Sequence, residues 1–215
     1  MQEAAIQAQL DVQPPKSHAA LALDLIERAT VIGLTLLFLI RFLPYEQDGP
    51  YALLLMISES LGALCMVIRR PGLMATSLYA WLVAVIGTWT PLFVAPGGDQ
   101  FLPMSVAVGM MTAGLMCSIS GKIFLRRSFG IVAANRGIQK QGPYRIVRHP
   151  IYFGYLLTQV GFLSISFSGW NLLVYLGAWL AMVLRIAAEE NVLSRDKSYR
   201  AYRLDVPSRL IPALW

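Results

Sequence analysis

Three groups of residues in this chain carry side chains able to do chemistry, and each lies beside or inside an apolar stretch. The densest is Gly142-Pro143-Tyr144-Arg145-Ile146-Val147-Arg148-His149-Pro150-Ile151-Tyr152. Gly142-Pro143 fixes a turn, and Pro150 suits the first position of a helix. The residue before a proline is held extended, which sets His149 at the helix entrance. The unpaired N–H groups of that first turn, with the positive end of the helix dipole, make an anion site beside Arg148 and His149. Tyr144 and Tyr152 add aromatic faces for an adenine-like ring or a cation. The same residues also fit an interfacial anchor, with arginines on lipid headgroups and tyrosines in an aromatic belt.

The second group is Arg185-Ile186-Ala187-Ala188-Glu189-Glu190. Arg185 and Glu189 are four apart and share a helix face, while Glu190 is turned about a quarter-turn or slightly more away. A carboxylate here can accept from hydroxyls or an ammonium, and Arg185 can orient an anion. A snorkelling arginine beside a solvated acidic pair is the other reading. The third is Glu59, between Ser58 and Ser60 in an apolar run. A carboxylate inside a membrane span is costly enough to mark a functional site, or else is a protonated, hydrogen-bonded packing residue. Cys65 and Cys117 stand alone in apolar runs, and His18 and His149 are far apart, so the pattern predicts no metal site.

The elements that must position these groups are apolar helices. The runs are Leu25–Leu43, Tyr51–Ile68, Leu73–Ala95, Phe101–Ile119, Ile151–Ser166 and Asn171–Leu184, against the roughly 20 residues a bilayer core requires. Pro44 to Pro50, Arg69-Arg70-Pro71-Gly72, Pro96-Gly97-Gly98 and Ser168-Gly169 separate them. The last two runs are short and read as a helical hairpin. The fold expected is all-α: a polytopic transmembrane protein of about six spans. A pocket at its cytoplasmic side is expected from the loop before the last hairpin and the tail after it.

Composition supports this. Only 14% of the residues are charged and 56% are hydrophobic, too little polar surface to cover a soluble fold of this size. The net charge of +6 then reads as topogenic rather than as a nucleic-acid footprint. Arg69, Arg70, the cations from Lys122 to Arg148, and Arg185 through Arg209 fall on one side of the expected spans; Glu46, Asp48 and Asp99 fall on the other. The positive-inside rule then sets both termini and the long loop in the cytoplasm. Met1 to Ser17, with Pro14-Pro15, lacks the order of a secretory signal and reads as part of a mobile cytoplasmic tail over 1–20.

Gly142-Pro143-Tyr144, then Arg148-His149-Pro150-Ile151-Tyr152-Phe153-Gly154, then Arg185, Glu189-Glu190 and Leu193, then Tyr199, Tyr202, Val206 and Arg209–Pro212 form an ordered set around a hydrophobic hairpin. From Arg126 onward the chain resembles the isoprenylcysteine carboxyl methyltransferase family. The resemblance implies an integral membrane enzyme moving a methyl group from S-adenosylmethionine to a lipophilic acceptor, with 21–119 as N-terminal helices and 120–215 as the methyltransferase core. It implies that Tyr144, His149, Pro150, Ile151, Tyr152 and Glu189 contact the cofactor, and that Arg185 orients the acceptor. Ile138 and Gln139 line up with a segment that meets the cofactor mostly through backbone. Arg148 and Glu190, adjacent to these, are included among the cofactor residues, and Glu59 among those that meet the acceptor.

The expected partners are membrane lipids and a lipophilic small-molecule or lipidated acceptor, with no nucleic acid, in a bacterial inner membrane. The acceptor group (carboxylate, thiol or amine) and the oligomeric state stay open. Two other readings stand beside this one. The first is an NADPH-dependent membrane reductase of the sterol-reductase kind, with Arg136 or Lys140 on the phosphate. The second is a non-enzymatic membrane assembly or transport factor.

Overall fold

A computed structural model describes residues 12–13, 18–42, 50–70, 72–75, 77–95 and 97–215. Most of the Met1–Ser17 tail, the loop with Glu46 and Asp48, Pro71 and Pro96 lie outside the described residues. The described chain is mostly helical. Its long helices are α1 (His18–Phe42), α2 (Pro50–Ile68), α3 (Leu78–Trp89), α4 (Met104–Leu125), α5 (Pro150–Ile165) and α6 (Gly169–Leu193), followed by short α7 (Lys197–Asp205). They follow the order of the expected spans. Strands β1 (Val12–Gln13), β2 (Leu73–Ala75) and β3 (Ala134–Asn135) form a small antiparallel sheet, with Val12 opposite Ala75 and Leu73 opposite Asn135.

Local chemistry explains most boundaries. Pro50 and Pro150 open their helices at a position where a missing N–H costs nothing. Ser77, Ser168 and Asp196 cap α3, α6 and α7 by accepting from Ala80, Asn171 and Ser198 backbone N–H groups. The third expected span loses its first residues to β2, because Leu73–Ala75 pairs across the chain with β3 and so is held extended. The fourth and sixth run longer than expected, to Leu125 and Leu193. Lys122, expected in the basic loop, therefore lies in α4, and Arg185, Glu189 and Glu190 ride on α6 itself.

The tightest helix pair is α4 with α5. A Cβ on Gly154 would come within 2.5 Å of the Gly114 carbonyl oxygen and 2.7 Å of Ser118 N; one on Gly121 would meet Ile151 Cγ1 at 2.6 Å. Small residues at helical spacing let these backbones touch. Helix α6 packs on α3, where a Cβ on Gly87 would sit 3.6 Å from that of Ala181. Across α5 and α6, Trp179 donates to Gln159 at 2.8 Å and Tyr175 meets Phe162 edge-on.

The connections sort into two ends. At one, Asp99 and Phe167 exchange backbone hydrogen bonds of 2.8 and 2.9 Å. There Asn171 gathers the loop by donating to the carbonyls of Ala95 and Ser166. At the other, Arg70 N donates to the Arg127 carbonyl. Buried Glu27 of α1 accepts from Ile131 and Val132 N–H at 2.7 and 2.9 Å and pairs with Arg69 at 2.8 Å.

By length and composition, Met104–Ser128 and Gly169–Leu193 can cross a membrane; Met56–Ile68, Leu78–Trp89 and Pro150–Ile165 are shorter apolar helices. Exposed Leu36, Leu37, Ile40, Leu173, Leu176 and Leu180 cover outer faces with apolar surface, as suits a lipid solvent.

Candidate functional site

The site lies at the end of the bundle opposite Asp99, where the loop before α5, the end of α6 and the C-terminal segment meet. Gly142 takes a left-handed φ of 59°, and a Cβ there would strike the Phe124 ring, so only glycine permits the turn. Gly142–Arg145 then forms one 3-10 turn. Next, Arg148 N and His149 N donate to the Ser208 and Arg209 carbonyls at 3.0 and 2.8 Å. Those two N–H groups, just ahead of α5, are thus taken by the tail, which narrows the anion site expected there.

Glu190 is buried and surrounded by donors. Its Oε1 accepts from Arg148 Nε at 2.8 Å and Tyr199 Oη at 3.3 Å and lies 3.4 Å from His149 Nε2; its Oε2 accepts from Arg209 Nε at 3.0 Å. A carboxylate offers about four lone-pair sites, and here three contacts crowd Oε1 while one holds Oε2. Arg148 reaches further, since its Nη1 also donates to the Val206 and Pro207 carbonyls at 2.7 and 2.6 Å. One carboxylate and one guanidinium thereby join α5, α6, α7 and the tail.

Glu189, about 100° around α6, has different company. Its Oε1 accepts from Tyr152 Oη and from Arg185 Nε, the latter at 3.3 Å, while among the described residues Oε2 has only His149 Nδ1, at 3.7 Å. That oxygen keeps capacity for a further donor. Arg185 stands 5.2 Å from the Tyr152 ring centroid and reaches Thr88 of α3 with Nη1 at 3.5 Å. The His149 and Tyr152 rings stack with centroids 5.7 Å apart. Three guanidiniums (Arg148, Arg185, Arg209) face two carboxylates, so the site is formally cationic even before His149 is counted.

Tyr144, Tyr199 and Tyr202 form a buried aromatic cluster with Ile138 packed against it, and Tyr202 Oη donates to the Tyr144 carbonyl at 2.6 Å. Burial, reinforced by the Glu190 charge, pushes the Tyr202 phenol up to about 12 and Tyr199 higher still. Both therefore stay protonated donors at neutral pH. The Gln139 side chain turns away, donating to the Phe124 carbonyl and accepting from Lys140 and Gln141 N–H. Pro150 and Ile151 are buried, Ile151 against Cys65, Met66 and Phe129 rather than among the polar groups.

The structure thus brings Arg148, His149, Tyr152, Arg185, Glu189 and Glu190 together, with Tyr144 and Ile138 in the adjoining layer. Glu59 stands apart on α2, 3.5 Å from Lys122. Thr88, Tyr155 and the buried Lys122 did not stand out in the sequence. For Lys122 a signal existed: the apolar run continues past it through Leu125. Arg136, considered for a cofactor phosphate, is buried 3.8 Å from Glu27; burial and the neighbouring Arg69 bring it down to about 10.

Helix character and site geometry define a mostly helical protein, with helices apolar enough for a membrane and a cationic cluster where the loop before α5, the end of α6 and the tail meet. Residues 103–195 match the model of the Isoprenylcysteine carboxyl methyltransferase (ICMT) family, so over that stretch the resemblance seen in the motifs is borne out. The matched residues begin ahead of Arg126 and stop before Tyr199, leaving Tyr199, Tyr202 and Arg209 outside. No curated protein matches the chain. The match supports a membrane methyltransferase in general and gives the reductase reading no support.

Proposed function

We propose that the chain is an S-adenosylmethionine-dependent methyltransferase acting on a lipophilic acceptor at the cytoplasmic interface of a membrane, with six spans and both termini cytoplasmic. The observation that carries this reading is the convergence in one cationic cluster of Tyr152 and His149 from one segment with Arg185 and Glu189 from another.

The residues present fit the cofactor's chemistry. The free Glu189 oxygen can accept from ribose hydroxyls or the ammonium, and the stacked His149 and Tyr152 rings offer flat faces. Tyr144, Ile138 and Pro150 would bound the apolar parts, with Gln139 contributing through its backbone, whereas Ile151 packs away from the site. Glu190 and Arg148 would hold the frame rather than touch the ligand, because both are buried and already tie α6 to the tail.

S-adenosylmethionine supplies a sulfonium methyl: in an in-line displacement the acceptor's nucleophile bonds that carbon, and the carbon–sulfur pair leaves with sulfur as a thioether. Arg185, fixed by Glu189 and Thr88, would orient the acceptor along that line. Positioning of this kind can supply about 7–11 kcal/mol of the barrier reduction, so no nucleophilic side chain is required. Apolar helices around the pocket would exclude water and bring the acceptor sideways from the bilayer.

Calorimetry on detergent-purified protein tests the reading with S-adenosylhomocysteine and, separately, NADPH. S-adenosylhomocysteine should bind and NADPH should not; the reverse pattern sinks the proposal. His149→Ala and Glu189→Ala should weaken S-adenosylhomocysteine, whereas Arg185→Ala should mainly slow turnover. Unchanged affinity in both of the first two variants would show that the pocket lies elsewhere.

A further inference from the structure

Lys122 is almost fully enclosed, at 1% exposure, and nothing in the site described above uses it. Its ammonium donates to the Ser58 carbonyl at 2.7 Å and the Ser58 hydroxyl at 2.9 Å, and lies 3.5 Å from Glu59 Oε1. With Tyr155 also beside it, the ammonium's three protons are used up. Glu59 is the opposite case. Among the described residues its only ion-pair partner is Lys122, and its side chain is 40% exposed. Most of its accepting capacity is open.

That open surface does not lie on the outer face of α2, which Ile57, Leu64 and Val67 cover. Glu59 is seven residues before Met66, hence at nearly the same angle on the helix, and Met66 is fully buried. The exposed carboxylate therefore sits in a recess on the inward flank of α2. A chain of packed side chains connects it to the site. Lys122 Nζ is 5.5 Å from the Tyr155 ring centroid, and the Tyr155 ring is 6.4 Å from that of Tyr152, which holds Glu189.

We propose that the Glu59 recess is a specificity subsite for the acceptor and takes a neutral hydrogen-bond donor, a hydroxyl or amide N–H, carried on an otherwise apolar molecule. The proposal rests on the methyltransferase reading and deepens it. Charge selects the class. Glu59 and Lys122 form a neutral pair, so a cationic ligand would leave one buried positive charge uncompensated. An anion would meet the Glu59 carboxylate and could engage Lys122 only by displacing the oxygens that saturate it. A neutral donor adds a hydrogen bond to a charged acceptor and no net charge.

The test uses the full chain in phosphatidylcholine nanodiscs and four probes sharing one twelve-carbon tail: dodecanol, dodecanamide, dodecylammonium and dodecanoate. Binding is read from the probe-dependent rise in unfolding temperature. Dodecanol and dodecanamide should bind about tenfold or more tighter than the charged pair, because a site built around one hydrogen bond discriminates strongly. Glu59→Leu/Lys122→Met, which removes both charges together, should abolish the difference.

If that double variant does not fold, Glu59→Gln decides, since dodecanol should then bind more weakly than to the unmodified chain. Tighter binding of either charged probe, equal binding of all four, or discrimination that survives the substitutions overturns the proposal. S-adenosylhomocysteine calorimetry on the same samples keeps the two readings apart. Its absence refutes the methyltransferase, while the probe pattern alone judges the recess.

Discussion

Replacing Glu190 by Gln keeps the size of the side chain and removes the charge that Arg148, His149, Tyr199 and Arg209 surround. Arg148 would keep the Val206 and Pro207 carbonyls, so it would not be orphaned outright. Removing one partner of a buried pair costs about 3–5 kcal/mol, and retaining one amide oxygen with those two carbonyls brings the expected loss to about 1.5–3 kcal/mol. The loss should appear where the carboxylate holds the tail. At about 1.4 kcal/mol per tenfold change, the amides of Arg148 and His149, which donate to Ser208 and Arg209, should exchange roughly ten to a hundred times faster. Hydrogen exchange read by mass spectrometry over 145–150 and 206–212 is the assay, with Glu189→Gln as the control that leaves the tail closed. Unaltered exchange in Glu190→Gln, together with lost S-adenosylhomocysteine binding, would refute the framing role and make Glu190 a ligand.

Other perturbations probe the scaffold. Gly154→Ala pushes a methyl against the Gly114 carbonyl and Ser118 N and should lower stability by about 1–3 kcal/mol, seen as a reduced unfolding temperature in detergent. Asp196→Ala removes the α7 cap and should cost about 1 kcal/mol, read from faster amide exchange at Ser198. Hydrogen bonds from Ser198 and Asn135 hold the Asp196 carboxyl below its ordinary value, so protonation is harder folded than unfolded. That cap contribution should be present above the ordinary carboxylate range and be lost as pH falls through the lowered folded value. A pH series of the same exchange rates tests the sign; protection that grows on acidification would contradict it.

Much of this arrangement was legible in order and little of it in depth. Apolar runs and their proline, glycine and arginine punctuation gave six long helices in sequence, because helix formation is local. The motifs before Pro150 and around Arg185 pointed to groups that do converge. Sequence could not rank Glu189 against Glu190, since their difference comes mostly from partners 9 to 42 residues away in the chain. It also mistook Lys122 for a loop cation; a buried ammonium is recognisable only once Ser58, 64 positions earlier, is seen beside it. The strands are two or three residues long and carry no periodicity to read. The Glu27 cluster joins α1 to a loop over 100 residues on, a contact no local pattern encodes.

The glycine seam between α4 and α5 sets where this bundle can give way. Where backbone lies on backbone there are few side-chain rotamers to exchange, so that pair is expected to travel as one beam. The α5–α6 boundary is built of Tyr175, Trp179, Phe162 and Gln159, bulky groups that can swing. A molecule arriving from the side would thus displace α6 with its neighbour α3 and leave Tyr152 where it stands. Spin labels across α4 and α5 should report one narrow distance and labels across α5 and α6 a broader distribution. The opposite pattern would put the hinge in the wrong half.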